Sequence, residues 1–259
     1  MTPGGVFVAV VVLLAVSSGP CHAAMTQTYV KQLYSTLTCA ARRAGDLVTL
    51  EDGSTLVFRA TAGKGGSVWS RYISVGRHDD GPLDRMTIPN GCLTVDNLNC
   101  CDRHYRSEVL DFWPSDDIDT VRLGVYKNGV EVQFAEFNGT GSNYKNWMSK
   151  SRLLSSSWTD LKTNPNNFLS LEGDGQNSRW RRVFISRNYA GCAADRGWLV
   201  ALSRWDECDW TKNIGPYPAF LFSRKSTHAV WNTKGDVDTA DVLAVTIKFK
   251  HNPTFRPSA

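Results

Sequence analysis

Apolar and polar residues alternate along much of the chain after residue 50, a pattern that indicates β-strands. The clearest example is Val121, Leu123 and Val125, which are separated by polar or small residues. Asn128-Gly129, the dipeptide preferred in a type I′ turn, follows, and residues 130–137 then alternate again. The pattern therefore predicts a β-hairpin with its turn at Asn128-Gly129.

Short apolar runs bounded by turn residues predict further strands. Residues 55–61 (TLVFRAT) lie between Asp52-Gly53 and a glycine-rich segment. In residues 243–249, Leu, Val, Ile and Phe alternate with Ala, Thr and Lys, which is typical of a strand with one buried face and one face in water. The other predicted strands are residues 168–171, 180–186, 198–202 and 219–223.

Helical patterns are few and short. An apolar spacing of i, i+3, i+4 and i+7 begins at Val30 and predicts a helix within residues 25–50. Residues 107–113 predict a second helix with Ser107 as its N-cap. The pattern of residues 149–161 fits a helical and an extended conformation equally well, so the sequence does not decide between them. Many short strands without an alternating strand–helix order predict a mainly β, antiparallel sandwich-like domain with two or three short helices.

The chain begins with features of an exported protein. Residues 6–16 form an apolar run of 11 residues, followed by Gly19-Pro20 and small residues up to Ala24. This length is typical of a signal peptide, because a membrane-spanning helix needs about 20 residues. No later run approaches that length, so we expect no membrane span. The expected layout is a signal peptide (1–24), a helical segment (25–50), a single β-rich extracellular domain (51–250) and a flexible tail (251–259).

Charge gives little indication of a partner. The chain has a net charge of +4 with 21% charged residues, which is ordinary for a globular protein. The densest basic points are Arg42-Arg43 and residues 179–182 (RWRR). A basic-aromatic stretch can hold an anionic polysaccharide or a nucleic acid, but solvated strand ends explain these positions as well. We expect no nucleic acid partner.

The cysteines indicate a disulfide framework. Of the seven cysteines, Cys21 lies in the expected signal peptide, and an even six remain. A Cys100–Cys101 bridge is excluded because adjacent Cα atoms are closer than a relaxed disulfide requires. Residues 77–101 hold three of the six among turn residues and predict a stapled surface excursion outside the core. The six are Cys39, Cys92, Cys100, Cys101, Cys192 and Cys208.

Catalytic patterns are almost absent. His104 has carboxylates near it in sequence, at Asp102 and Asp111, but the chain contains neither Gly-x-Ser-x-Gly nor His-Glu-x-x-His. A histidine beside a short helix is usually a surface or packing residue, so we expect no enzyme. A secreted hydrolase using His104 with a nearby carboxylate is one alternative. A secreted defence protein acting on membranes is another, although no amphipathic basic helix supports it.

Three kinds of binding or modification site are candidates. Asp236, Asp238 and Asp241 offer oxygen ligands to calcium as a cofactor, although a dedicated calcium-binding loop sequence is missing. Asn138 begins a glycosylation sequon, Asn-Gly-Thr, in an expected exported chain. Aromatic residues in turn-rich segments, close to Asp209 and other polar residues, are candidates for stacking on a sugar. These are Trp205, Trp210, Tyr217 and Trp231.

Several short sequence segments are similar to those of a known family, beyond what amino-acid composition alone would give. They are residues 56–63 (LVFRATAG), 104–107 (HYRS), 125–132 (VYKNGVEV), 137–139 (FNG), 152–161 (RLLSSSWTDL), 189–200 (YAGCAADRGWLV), 208–210 (CDW) and 240–244 (ADVLA). In their order and spacing they resemble a secreted invertebrate module found in coral skeletal organic matrix proteins and in fibrinogen-like or EGF-linked extracellular proteins. The chain departs from the family pattern at residues 52–55 and 208–211, and residues 92–101 look like an insertion.

The resemblance implies an extracellular matrix or recognition function, with a matrix protein or a glycan as the partner. It makes an α+β fibrinogen-like fold the alternative to the sandwich. It also implies a Cys192–Cys208 bridge, since these residues lie in two of the matching phrases. We therefore expect a secreted, non-catalytic, lectin-like module. With that bridge, two arrangements stay open: Cys39–Cys100 with Cys92–Cys101, or Cys39–Cys101 with Cys92–Cys100.

Overall fold

The predicted mainly β architecture is confirmed by the computed structural model, in which two six-stranded antiparallel sheets form a sandwich. Two short α-helices accompany them among the described residues. The signal peptide, most of the segment 25–50 and the tail after residue 251 lie outside those residues. The structure describes residues 41–42, 47–76, 79, 88–96, 101–174, 180–189 and 191–251, all within the unit Thr38–Ala259.

The first sheet, sheet I, combines strands from both ends of the described chain. Its central strand pairs with one neighbour from near the beginning and with one arm of the predicted hairpin. In spatial order the strands are β4 (Tyr105–Arg106), β2 (Thr55–Thr61), β14 (Val242–Phe249), β5 (Ile118–Lys127), β6 (Val130–Asn138) and β7 (Leu153–Ser156).

The second sheet, sheet II, is built from the chain between β7 and β14. In order its strands are β13 (Val237–Ala240), β11 (Ala219–Ser223), β10 (Arg196–Leu202), β9 (Arg181–Asn188) and β8 (Phe168–Ser170), and β12 (Ala229–Val230) also pairs with β10. The remaining elements are the pair β1 (Ala41–Arg42) and β3 (Ile88–Pro89), helices α1 (Val68–Tyr72) and α2 (Val109–Phe112), and 3₁₀ turns at Asn90–Leu93, Lys150–Arg152 and Asp209–Thr211.

The hairpin of β5 and β6 has the predicted turn. Asn128 and Gly129 both have positive φ, 52° and 79°, as a type I′ turn requires. A Cβ atom on Gly129 would lie 2.6 Å from the carbonyl oxygen of Asp96, so glycine also allows the loop at residues 93–96 to touch the turn. The backbone N–H of Asn128 donates to Asp241 Oδ2 at 2.7 Å. The turn is therefore fixed from two sides.

The helical predictions have mixed outcomes. Helix α2 lies within the predicted residues 107–113, but its N-cap is Glu108 and not the predicted Ser107. The Ser107 hydroxyl nevertheless accepts from the Val109 N–H at 3.3 Å. The helix predicted within residues 25–50 does not extend to its expected end, because Ala41–Arg42 is a strand and Thr49 bridges to Thr55. Residues 149–161, where two conformations competed, contain a 3₁₀ turn followed by β7.

The main core fills the space between the sheets. Sheet I contributes the inward residues of β2, β5, β6 and β14, and sheet II those of β9, β10 and β11. Burial of each large aliphatic or aromatic side chain contributes about 1.5–3 kcal/mol relative to exposure. Three tryptophans at this core are fully buried, and each indole N–H donates a hydrogen bond. They are Trp147 to the Tyr72 hydroxyl, Trp158 to the Ser223 carbonyl and Trp198 to Asp160.

Both sheets also carry a smaller apolar cluster on the outer face, and this corrects two predictions. Strand β14 does not have one wet face: Val242 and Ala244 are buried under the outer cluster of sheet I. The cysteine-rich segment 77–101 is not a surface excursion outside the core where the structure describes it. Its Ile88 and Cys92 are buried in that same cluster. The prediction of a wet face was wrong because residues distant in sequence cover that face of the strand.

Two disulfides staple the outer clusters. Cys192–Cys208 has the pairing that the resemblance implies, with an S–S distance of 2.07 Å. Cys92–Cys101, with an S–S distance of 2.09 Å, belongs to one of the two arrangements left open for the other cysteines. Its expected companion, Cys39–Cys100, lies outside the described residues. Each described bridge therefore closes a loop on the outer face of one sheet.

Candidate functional site

His104, the candidate catalytic residue, is a buried structural residue. The backbone N–H of Thr61 donates to its Nδ1 at 3.0 Å, so the ring proton is on Nε2, 3.1 Å from the carbonyl oxygen of Gly66. Burial lowers the pKa of His104 to about 4, despite the opposing effect of the Gly66 hydrogen bond. The imidazole is therefore neutral at pH 7, and it ties the end of β2 to the glycine-rich turn.

The two carboxylates proposed as partners of His104 are bound elsewhere. Asp102 is paired with its neighbour Arg103 at 2.7 Å, on the surface. Asp111 accepts from the fully buried Arg106 at 2.5 Å. The described contacts of His104 include no carboxylate, so a histidine–carboxylate dyad at this position, the basis of the hydrolase alternative, is not assembled.

A histidine–carboxylate pair does occur at a place that the sequence did not suggest. His228 Nδ1 lies 2.6 Å from Asp160 Oδ2, and the Trp198 indole donates to the other carboxylate oxygen at 2.7 Å. Burial raises the pKa of Asp160, but the hydrogen bonds from His228 and Trp198 outweigh it, so the pKa is lowered overall. The Arg187 guanidinium lies 2.7 Å from His228 Nε2, so both ring nitrogens of His228 have a polar partner.

The candidate calcium ligands Asp236, Asp238 and Asp241 are engaged in separate contacts. Among the described residues, no group of three or more histidine, cysteine, aspartate or glutamate side chains is placed to hold a metal ion. Each carboxylate instead fastens a turn or a strand. The partners are Lys225 for Asp236, Lys127 for Asp238 and the backbone N–H of Asn128 for Asp241.

The four candidate sugar-binding aromatic residues are divided by the structure. Trp210 and Trp231 come together, with ring centroids 5.7 Å apart and planes inclined by 26°. They are only 6% and 4% exposed, so they do not form the exposed platform that the sequence suggested. Trp205 is 60% exposed, and the hydroxyl of the half-buried Tyr217 donates to the carbonyl oxygen of Thr211. Neither Trp205 nor Tyr217 lines the groove described next.

The paired indoles lie at the base of a surface groove of about 450 Å³ on the outer face of sheet II, named here the tryptophan groove. Its apolar lining comes from the two tryptophans and three aliphatic side chains, and seven polar residues complete the lining. The apolar residues are Trp210, Ile214, Leu221, Trp231 and Val237. The polar residues are Asp209, Lys212, Asn232, Thr233, Lys234, Asp238 and Thr239.

A buried arginine supports the groove from beneath. The Arg181 guanidinium lies between the rings of Trp210 and Tyr189, 4.5 and 4.6 Å from their centroids. It forms ion pairs with Asp195 at 3.0 Å and Asp206 at 2.9 Å, and all three charged side chains are at most 2% exposed. The position of Trp210 is therefore set by a desolvated charge network of one guanidinium and two carboxylates.

The Cys192–Cys208 disulfide fixes the rim of the groove. Asp209 follows Cys208 directly, and the Asn232 side-chain amide donates to the Cys192 carbonyl at 2.8 Å. The backbone N–H of Trp231 donates to the Asp195 carbonyl at 3.1 Å. Both sides of the groove are thus attached to one bridge, which preorganises the polar rim.

The charges that line the groove balance. The lining contains two carboxylates, Asp209 and Asp238, and two ammonium groups, Lys212 and Lys234. Asp209 forms an ion pair with Lys212 at 2.9 Å, whereas Asp238 is paired with Lys127 outside the lining. The indole N–H groups of the two tryptophans have no hydrogen-bond partner among the described residues. The arrangement offers an apolar base, donors and acceptors at the rim, and no net charge.

The remaining sequence candidates lie outside the groove. Asn138 is exposed at the end of β6, and its Oδ1 accepts from the Thr140 N–H at 2.9 Å, so the sequon is on the surface. In the basic-aromatic stretch, Arg181 is buried, and the half-exposed Trp180 lies under the Arg204 guanidinium at 4.6 Å.

No described helix is both long and apolar enough to cross a membrane. The search for similar proteins gave no indication of family. No protein-family model, curated protein or solved structure matches this chain.

Proposed function

We propose that this chain is a secreted, non-catalytic extracellular recognition module that binds a neutral glycan in the tryptophan groove. The observation that carries the proposal is the groove itself, which is lined by two buried indoles, by aliphatic side chains and by hydrogen-bonding side chains, and which is attached to a disulfide. Its volume of about 450 Å³ is within the range of small-molecule sites. Sugars present both apolar C–H surfaces and hydroxyl groups, and the groove provides contacts for both.

The balance of charge in the groove favours a neutral sugar over a sulfated or carboxylated one. Two carboxylates and two ammonium groups line it; Asp209 pairs with Lys212, and Asp238 pairs with Lys127, which lies outside the lining. An anionic polysaccharide would need an excess of cations to offset its own loss of hydration. Hydroxyl groups can instead bond to the Asn232 amide, the Asp209 carboxylate and the threonine side chains.

Secretion is supported by the leader-like residues 6–16 and by the two disulfides, which persist in oxidising compartments. A non-catalytic role is supported by His104, whose ring nitrogens both engage the backbone, and by His228, whose Nε2 is engaged by Arg187. These observations offer no support to the hydrolase alternative. The resemblance to matrix proteins fits a role in binding a glycan of the extracellular matrix.

The test is a glycan-array screen of the purified chain, followed by calorimetry with the best neutral oligosaccharide. Asp209→Ala together with Asn232→Ala removes two rim contacts without touching the buried tryptophans, and we expect binding to weaken at least tenfold. Asp116→Ala is the control, an exposed aspartate in a turn outside the groove. A chelator should leave binding unchanged. Binding that survives the double variant, or an array without any bound glycan, refutes the proposal.

A further inference from the structure

A second concave site lies on the outer face of sheet I. Strands β5, β6 and β14 form the floor of a cleft of about 570 Å³, and the segments 49–54 and 93–96 form its walls. We name it the acidic cleft and define it by Glu51, Asp52, Asp96, Arg122, Tyr126 and Glu131. The main core separates it from the tryptophan groove, because the two sites are on the outer faces of different sheets.

The floor of the acidic cleft is a closed polar network. Arg122 donates to both carboxylate oxygens of Glu131, at 3.0 and 2.6 Å, and its second ion pair is with Glu136 at 3.3 Å. The guanidinium also lies 3.5 Å from the centroid of the Phe134 ring, and the Tyr126 hydroxyl donates to Glu131 at 3.3 Å. Arg122 therefore already has two carboxylate partners, and its charge is not free to attract an anion.

The walls are held at a fixed separation. The hairpin turn touches the 93–96 segment at Gly129, where a side chain would collide with the carbonyl of Asp96. On the other wall, Asp52 Oδ1 accepts from the Ser54 N–H at 3.0 Å and from the Ser54 hydroxyl at 2.6 Å. The cleft is thus preformed, which lowers the cost of binding.

The lining of the cleft carries an excess of negative charge. Four carboxylates (Glu51, Asp52, Asp96, Glu131) and two cationic groups (Arg122, Lys248) line the cleft, a sum of −2 in a chain whose net charge is +4. The buried Arg59, which is not in the lining, offsets part of the charge of Asp96. Lys248 is half exposed and 3.8 Å from Asp52, a weak surface pair. Low-dielectric walls concentrate such a field, which selects for cations.

We propose that the acidic cleft binds lysine and arginine side chains of an extended segment from a basic partner protein. The carboxylates receive the cationic heads, and the apolar residues Leu50, Leu93 and Val95 of the walls contact the aliphatic stems. A metal ion does not fit as occupant, because no cluster of three ligating side chains occurs in the described part of the chain. Together with the groove, the cleft would let the chain connect a glycan with a basic protein.

The experiment uses fluorescence polarisation of the full chain with a labelled octapeptide of alternating threonine and lysine. The test variant is Glu51→Gln with Asp52→Asn and Asp96→Asn, whose amides keep the shape and the acceptor that holds Ser54. The control is Asp116→Asn with Asp117→Asn and Asp119→Asn, three exposed residues that change the net charge equally. We expect the Kd for the peptide to rise at least tenfold in the test variant and less than twofold in the control.

Two further labelled octapeptides, in which arginine or glutamate replaces lysine, test whether the cleft selects for positive charge. The arginine version should bind as well as the lysine version, and the glutamate version should not bind. Equal weakening in the test and control variants, or no weakening in either, overturns the proposal. The test variant should retain its near-ultraviolet circular dichroism and its glycan affinity, because the groove is on the other sheet. The experiment can therefore refute peptide binding in the acidic cleft without refuting glycan binding in the tryptophan groove, and the reverse.

Discussion

Replacement of Arg181 by methionine is the most direct perturbation of the tryptophan groove. The guanidinium is fully buried and lies between Asp195 and Asp206, at 3.0 and 2.9 Å. Methionine retains an unbranched side chain but removes the charge and the hydrogen bonds. The substitution therefore leaves two desolvated carboxylates without the cation between them.

The expected loss of stability follows from that geometry. Removing one partner of a buried ion pair costs about 3–5 kcal/mol, because the remaining charge stays desolvated. The stacking of the guanidinium on Trp210 and Tyr189 adds roughly 1 kcal/mol or more. We expect Arg181→Met to lower the free energy of unfolding by about 4–6 kcal/mol, a large share of the roughly 5–15 kcal/mol typical of a folded domain.

Urea unfolding at pH 7, followed by tryptophan fluorescence, measures this loss. The matched control is Arg182→Met, the neighbouring residue, which is half-buried and donates to the Glu172 carbonyl at 2.7 Å. We expect the control to cost less than about 1 kcal/mol. Adding Asp195→Asn and Asp206→Asn to Arg181→Met should recover part of the loss, because no buried charge then remains. A cost for Arg181→Met no greater than the control refutes the reasoning.

Three other predictions concern the fold and its modification. Because burial lowers the pKa of His104 to about 4, below the 6.5 of an exposed histidine, the unfolded state takes up the proton first as the pH falls. The stability difference between the native chain and His104→Asn should therefore shrink by about 3 kcal/mol from pH 7 to pH 4, and a constant difference contradicts this. Replacing Cys192 and Cys208 by alanine should cost about 3 kcal/mol of unfolding free energy, since the bridge spans 16 residues, and should weaken glycan binding as well. Glycosylation at the exposed Asn138 should appear as a fall in intact mass on enzymatic glycan removal, and an unchanged mass contradicts it.

Elements specified by nearby residues were predictable from the sequence. The β5–β6 hairpin depends on Asn128-Gly129, whose preference for positive φ is a property of those two residues. The pairing of β2 with β14 joins residues more than 180 positions apart, for example Thr61 with Val242, and no local pattern encodes it. The wet face predicted for β14 was wrong for the same reason: the alternation there separates large residues from small ones, and both kinds are buried.

The candidate site was predictable only in part. The turn-rich segments that the sequence marked do contain Trp210 and Trp231, which line the groove. Their burial follows from their stacking on each other and from Arg181, whose role could not be inferred from its place in a basic run. The Asp160–His228 pair gave no signal at all, since its members are 68 residues apart.

Both proposed sites follow from one construction that the fold uses twice. On the outer face of each sheet, a buried strand arginine contacts a disulfide sulfur: Arg59 is 2.7 Å from Cys101 Sγ, and Arg181 is 3.2 Å from Cys208 Sγ. An arginine on the outer face of a sheet is costly only where a loop covers and desolvates it, so that loop must supply acceptors, and the stapled loops do so. Such a loop covers part of the sheet and leaves its flank open, and the groove and the cleft occur at those flanks. The ligand sites therefore depend on the stapled loops, while the sandwich core keeps the two loops on opposite faces.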